Sequence, residues 1–293
     1  MSKFNKRFSE FFISFPSTAW LLIFFVIPTI IVLAMSFRAA DMYGGIGDEW
    51  TLKTLTELRN PNYPAIIWRT VWISVIATFT CVILSVPAGY YIARMEKKRR
   101  DIMLLFIIVP FWVNFLIRIF AWKVFLHPEG YFKKVLVFFH IVSDNTLLLY
   151  NSWAVLVVVI YTYLPFALLP IYAAAEKFDF YLLEAAYDLG ASKLKAFIKV
   201  FIPGIRDGLF AAILVVFIPA LGSYVIPEIV GGPSTDMIGN KIAQRTFVER
   251  NLPHASALST LLVLSVLLPV MLYLIFQNKR ESSFLKGGIS EKK

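Results

Sequence analysis

Six apolar runs dominate this chain, at about residues 17–37, 67–92, 103–122, 150–174, 209–230 and 256–277. An α-helix needs about 20 residues to cross the hydrocarbon core of a bilayer. No water reaches the backbone there, so only helices and closed barrels can span it. Runs this long select helices, since a barrel strand needs only about ten residues. The fourth run is rich in Val, Leu and Tyr, which by composition alone suits a strand. Its length decides for helix. The sequence therefore predicts an all-α, polytopic membrane protein with six transmembrane helices. Composition agrees: 58% of the 293 residues are hydrophobic and 16% charged, against about 25% charged in soluble domains.

Lysine and arginine set the expected orientation. Eighteen of the 29 fall on one side of the predicted spans. They are Lys3, Lys6 and Arg7; Arg94, Lys97, Lys98, Arg99 and Arg100; Lys177, Lys193, Lys195, Lys199 and Arg206; and Lys279, Arg280, Lys286, Lys292 and Lys293. By the positive-inside rule both termini and the 175–208 connection are cytoplasmic. The loops at about 38–66, 123–149 and 231–255 then face outward. The first run has a basic lead, but it is too long for a signal peptide and no A-x-A site follows, so it reads as an uncleaved helix. The expected layout is a tail at 1–16, a membrane domain at 17–277 and a tail at 278–293.

Several function classes fall away. The net charge of +10 comes from residues beside apolar runs without a stacking motif, so it serves topology and not nucleic acid. A single cysteine, Cys81, permits no intramolecular disulfide. His127, His140 and His254 are far apart and read as solvated or interfacial, and no metal or cofactor is expected. There is no G-x-x-x-x-G-K-[ST] loop, so ATP hydrolysis by that route lies elsewhere. Each run contains proline (Pro28, Pro87, Pro110, Pro165 with Pro170, Pro219 with Pro227, and Pro269). Prolines kink helices, and they are also common in membrane helices, so they fit a moving path and ordinary packing equally well.

One connection is structured. Asp179 is placed to cap a helix over 180–189, and Gly190 suits the left-handed residue that ends it. Glu184 and Asp188, four apart, make one face acidic. Ala185 and Ala186 admit a close neighbour. Ser192 is placed to cap a second helix over 193–202, with Leu194, Phe197, Ile198 and Phe201 on one face and Pro203 at its end. An amphipathic hairpin can simply lie on lipid. The acidic face and small residues favour a protein partner.

The pattern Glu184-Ala185-Ala186, Gly190-Ala191, Phe197, Pro203 resembles the EAA loop of permease subunits of ABC-type importers. The resemblance extends over roughly 17–277. Val109 to Arg118, Glu184 to Ser192, Gly231-Gly232-Pro233 and Met237-Ile238-Gly239-Asn240 resemble spermidine/putrescine permeases in particular. This implies a type I importer permease (MetI-like) fold in a bacterial inner membrane. It implies a loop at about 179–203 whose first helix docks on an ATPase, with Glu184 the polar contact and Gly190 the hinge. It also implies a second permease subunit in a heterodimer, two ATPase subunits, a periplasmic binding protein and a polyamine substrate.

A path for a polycation needs carboxylates and aromatic faces. Glu228 and Asp236, near the outer end of the fifth run, are the candidate carboxylates. Trp112, Tyr161, Tyr163 and Tyr224 are the candidate rings, each of which packing alone would also explain. Arg118 pulls the other way, toward an anion. The same machine carrying an organic anion, an amino-acid-like solute or a metal chelate is the first alternative. An ion-driven transporter, or a scaffold that docks a partner without transport, comes next.

Overall fold

The computed structural model describes residues 14–41, 44–61 and 63–290, with side chains as far as residue 271. Lys3, Lys6, Arg7, Asn62, Lys292 and Lys293 lie outside the described residues, as do the side chains of Lys279, Arg280 and Lys286. The chain divides into two compact units: Met1–Tyr63 with Lys241–Lys293, and Pro64–Asn240.

In the first unit, α1 (Ser14–Met35) has a mean hydropathy of 2.5 and no fully buried residue. The wide apolar surface it leaves exposed suits lipid or another subunit. It leads into an antiparallel hairpin, β1 (Arg38–Ala40) and β2 (Ile46–Trp50), and then α2 (Lys53–Glu57). The hairpin lies within the stretch at about 38–66 expected as an outward-facing loop. Arg38 lies 4.7 Å above the Trp50 ring opposite it, a cross-strand pair of the kind that holds short ribbons together.

The second unit begins with α3 (Tyr63–Ala93), a continuous helix that contains Pro87. The third apolar run does not form one straight span. Lys97–Trp112, which comprises α4 (Lys97–Ile108) and a 3₁₀ turn at Val109–Trp112, meets α5 (Phe115–Phe125) at 89°. Pro110 sits in the 3₁₀ turn and Val113 is extended. Asn114 starts afresh, its side chain accepting from the Leu116 N–H as an N-cap. After α6 (Tyr131–Phe138) comes α7 (Ser152–Glu176), continuous despite Pro165 and Pro170.

Next are α8 (Tyr181–Asp188), α9 (Lys193–Gly204) and α10 (Arg206–Leu221), with α9 and α10 bent by 71°. The expected fifth span over 209–230 therefore stops at Leu221. Residues 225–230 form a separate short helix, α11 (Val225–Val230). Its apolar composition hid the break, because Gly222-Ser223-Tyr224 is no more polar than many membrane sequences. α10 packs along α7, and α11 packs on α5 and α7. The core of this unit contains Ile73, Ile119, Val155, Val159, Ile226 and Met237. A second core toward the α8–α9 hairpin contains Ile171, Leu183, Phe201 and Ile205.

Helix α12 (Ile238–Ala243) and a π turn at Gln244–Val248 lead back to the first unit. There α13 (Leu252–Ser290) packs against α1, β1 and α2. Four helices are long and apolar enough to cross a membrane among the described residues, and the two bent pairs bring the number to six if each is one span.

Candidate functional site

The α8–α9 hairpin follows the expected local chemistry closely. The Asp179 carboxylate accepts from the Tyr181 N–H at 3.0 Å. At the far end Gly190 has φ +83°. Its N–H donates to the Tyr187 carbonyl (2.8 Å), and the Ala191 N–H donates to that of Ala186 (2.9 Å). These are the two bonds of a Schellman motif, which closes over orphan carbonyls and needs a residue without a Cβ at the left-handed position. The Ser192 hydroxyl accepts from the Lys195 N–H at 3.3 Å and starts α9.

The faces divide inward from outward. Glu184, Ala185 and Asp188 are exposed, as are Tyr181, Leu182 and Leu189. Ala186, Ala191 and Phe197 instead turn toward the core. Phe197 belongs to an aromatic cluster: the Tyr90 ring on α3 meets Phe197 (5.3 Å), Phe201 (5.0 Å) and Phe180 (6.0 Å) edge-on. Edge-to-face pairs at these spacings are favourable beyond their burial. The predicted apolar face of α9 is only partly buried. Leu194 and Ile198 are 69% and 51% exposed, while Ala196, Phe201 and Ile205 are buried. Phe197–Phe201 forms a π turn, with Ile202 donating back to Phe197. One extra residue in a turn shifts the buried stripe. Pro203, without an N–H, ends this stretch and is exposed.

A second constellation surrounds the start of α11. Tyr224 and Glu228 are exposed. Glu228 Oε2 accepts from the Asn240 side-chain amide at 2.9 Å, and the Tyr224 carbonyl accepts from the same amide at 3.0 Å. The 236–240 segment is pinned to α3. Arg69 donates to the Asp236 carbonyl (3.1 Å), and the Thr70 hydroxyl accepts from the Ile238 N–H (2.9 Å). Tyr163 donates to the Pro219 carbonyl at 3.3 Å, satisfying one of the carbonyls left open at the end of α10.

Trp112 and Tyr161 do not join this group by any hydrogen bond or ring contact among the described residues. Trp112 is 77% exposed at the break before α5. Tyr161 meets Trp122 at 5.2 Å and lines an apolar cleft of about 370 Å³ with Ile117, Arg118, Trp122 and Phe125. Arg118 stands 4.7 Å from the Phe111 ring, so its charge meets an aromatic face where a carboxylate or phosphate was expected.

Sequence reasoning missed two residues. Asn240 appeared only within a motif. His254, expected to be solvated or interfacial, is 3% exposed, with Nε2 2.7 Å from the Tyr63 hydroxyl and Nδ1 3.2 Å from Glu57. Arg245 completes that cluster, donating to the Tyr63 hydroxyl at 3.4 Å and pairing with Glu249. His127 and His140 are exposed.

Residues 85–281 match the model of the binding-protein-dependent transport system inner membrane component, and the chain belongs to that family. It is 35% identical over 259 residues to the spermidine/putrescine transport system permease protein PotB of Haemophilus influenzae, covering 88% of this chain and 90% of that protein. It is 34% identical over 254 residues to the PotB of Escherichia coli K12, covering 87% and 92%. The fold matches a chain of a bacterial ABC transporter involved in the import of the acidic polysaccharide alginate, with a TM-score of 0.71 at 17% identity, over 95% of this chain and 99% of that one.

Proposed function

We propose that this chain is the permease subunit that forms half of the translocation path of an ATP-driven importer for spermidine and putrescine. The observation that carries the reading is the identity to spermidine/putrescine permeases over nearly nine-tenths of the chain. A periplasmic binding protein delivers the polyamine to the outward loops. A second permease supplies the other half of the path, and two ATPase subunits supply the energy. Residues 17–277 form the membrane domain, with cytoplasmic tails at 1–16 and 278–293.

In this reading α8 docks on the ATPase. Its exposed Glu184, Ala185 and Asp188, with Leu182 and Leu189 beside them, form an acidic and apolar face suited to a protein groove. Gly190 and Ala191 set the angle between α8 and α9. Phe197 and Ala186 tie the hairpin to α3 through the Tyr90 cluster. Motion of the docked helix then reaches the spans through packed rings, a stiff linkage of the kind coupling requires. Tyr224 and Glu228 offer a ring and a carboxylate to the cationic substrate, with Asp236, Tyr163, Trp112 and Tyr161 as further members of the path. A desolvated cation–π contact contributes about 2 kcal/mol.

The test is uptake of labelled spermidine into proteoliposomes that hold this chain, its partner permease and the ATPase, with binding protein and ATP supplied. Uptake is expected to stop when the ATPase is omitted. Uptake that continues without it means an ion-driven carrier and ends this reading.

A further inference from the structure

Asn240 stands out among the polar side chains of the second unit. It is 5% exposed, and its amide nitrogen is directed at the Glu228 side chain and the backbone one turn before it. Its Oδ1 accepts from the Met237 N–H at 3.2 Å, while Nδ2 donates to the Tyr224 carbonyl at 3.0 Å and to Glu228 Oε2 at 2.9 Å. A carboxamide has two donor hydrogens, so Nδ2 has none left for another partner. The residue before it adds a constraint. A Cβ on Gly239 would lie 2.6 Å from the Ser223 carbonyl oxygen and 2.9 Å from that of Gly222. The loop therefore presses directly on the backbone that separates α10 from α11, and a side chain there would force it away. On its other side the loop is held to α3 by Thr70 and Arg69.

Glu228 itself sits in the first turn of a six-residue helix and is exposed. A free glutamate side chain samples many rotamers, and ordering it on binding costs affinity. A buried, doubly anchored amide that already holds one carboxylate oxygen removes much of that cost. We infer that Asn240 is a positioning residue: it holds the Glu228 carboxylate in place to receive an amine of the substrate. The inference rests on the reading of Glu228 as a substrate contact.

The test is a double-mutant cycle on the complete reconstituted importer, with KM and kcat for spermidine uptake as readouts. Asn240→Asp is close to isosteric; it keeps the acceptor for Met237, loses the donors to Glu228 and to the Tyr224 carbonyl, and sets a second carboxylate against the first. It is expected to raise KM about fivefold or more, the scale of one charge-assisted hydrogen bond, with the effect mainly on KM. Asn240→Ala is expected to do the same. Glu228→Gln is expected to raise KM at least as far, and adding either Asn240 change to it is expected to raise KM no further. If Glu228→Gln leaves KM unchanged, Glu228 is not a substrate contact, and the positioning role falls with it. If Glu228→Gln raises KM and the Asn240 change multiplies that rise, Asn240 acts independently and only the present inference is overturned.

Discussion

His254 lies near the start of α13, buried, with one ring nitrogen facing Tyr63 and the other Glu57. Glu57 lies against Nδ1, and Nε2 shares a hydrogen bond with the Tyr63 hydroxyl, whose oxygen also receives Arg245. Removing the imidazole leaves the buried Tyr63 hydroxyl without that partner, a cost of about 1–3 kcal/mol. His254→Ala is therefore expected to lower the melting temperature of the purified protein by several degrees, and Tyr63→Phe by less. A His254→Ala protein that melts with the wild type would show that the cluster does not stabilise this unit. Legibility at this scale follows sequence distance. Asp179, Gly190 and Ser192 were readable because a cap bonds residues two or three positions away. Tyr63 and His254 are 191 apart, and Asn240 and Glu228 belong to different elements 12 apart. No local pattern announces such pairs.

At the level of elements, apolar composition locates helices well and their interruptions poorly. The break at 112–115 had visible components, Pro110 and an Asn before an apolar run, yet hydropathy runs straight through it. The break after Leu221 is quieter still. The face of α9 shows a different limit: ideal helical spacing groups Leu194 and Ile198 with Phe197 and Phe201, yet the first two are exposed and the other two turn toward the core. The α8–α9 junction is the element most open to test. Gly190 adopts φ +83° with open space around it, so a side chain meets backbone strain of about 1–2 kcal/mol and no clash. Gly190→Val is expected to tilt α8 against α9. Uptake should fall several-fold while ATP hydrolysis by the assembled complex persists. Full spermidine uptake by this variant would mean that the turn geometry does not couple the two subunits.

Across the whole molecule, the orientation proposed from the basic residues is directly measurable. Cys81 is the single cysteine and is buried, so a Cys81→Ala background can carry one reporter at a time. Ser192→Cys, on the hairpin, is expected to react with an impermeant maleimide only from the cytoplasmic side, and Glu49→Cys, on β2, only from the outside. Labelling of both from one side would invert or discard the topology. The sequence by itself determined the class of fold, the rough positions of the long apolar helices and the existence of a capped hairpin. Those properties depend on hydrophobicity, backbone desolvation and local hydrogen bonds, all of which are encoded within a few turns of chain. Only the tertiary structure decided where the third and fifth spans break, which face of α9 is buried, and which side chains hold Glu228 and His254. Each of these rests on contacts between distant segments, or on a local backbone irregularity that periodicity averages away.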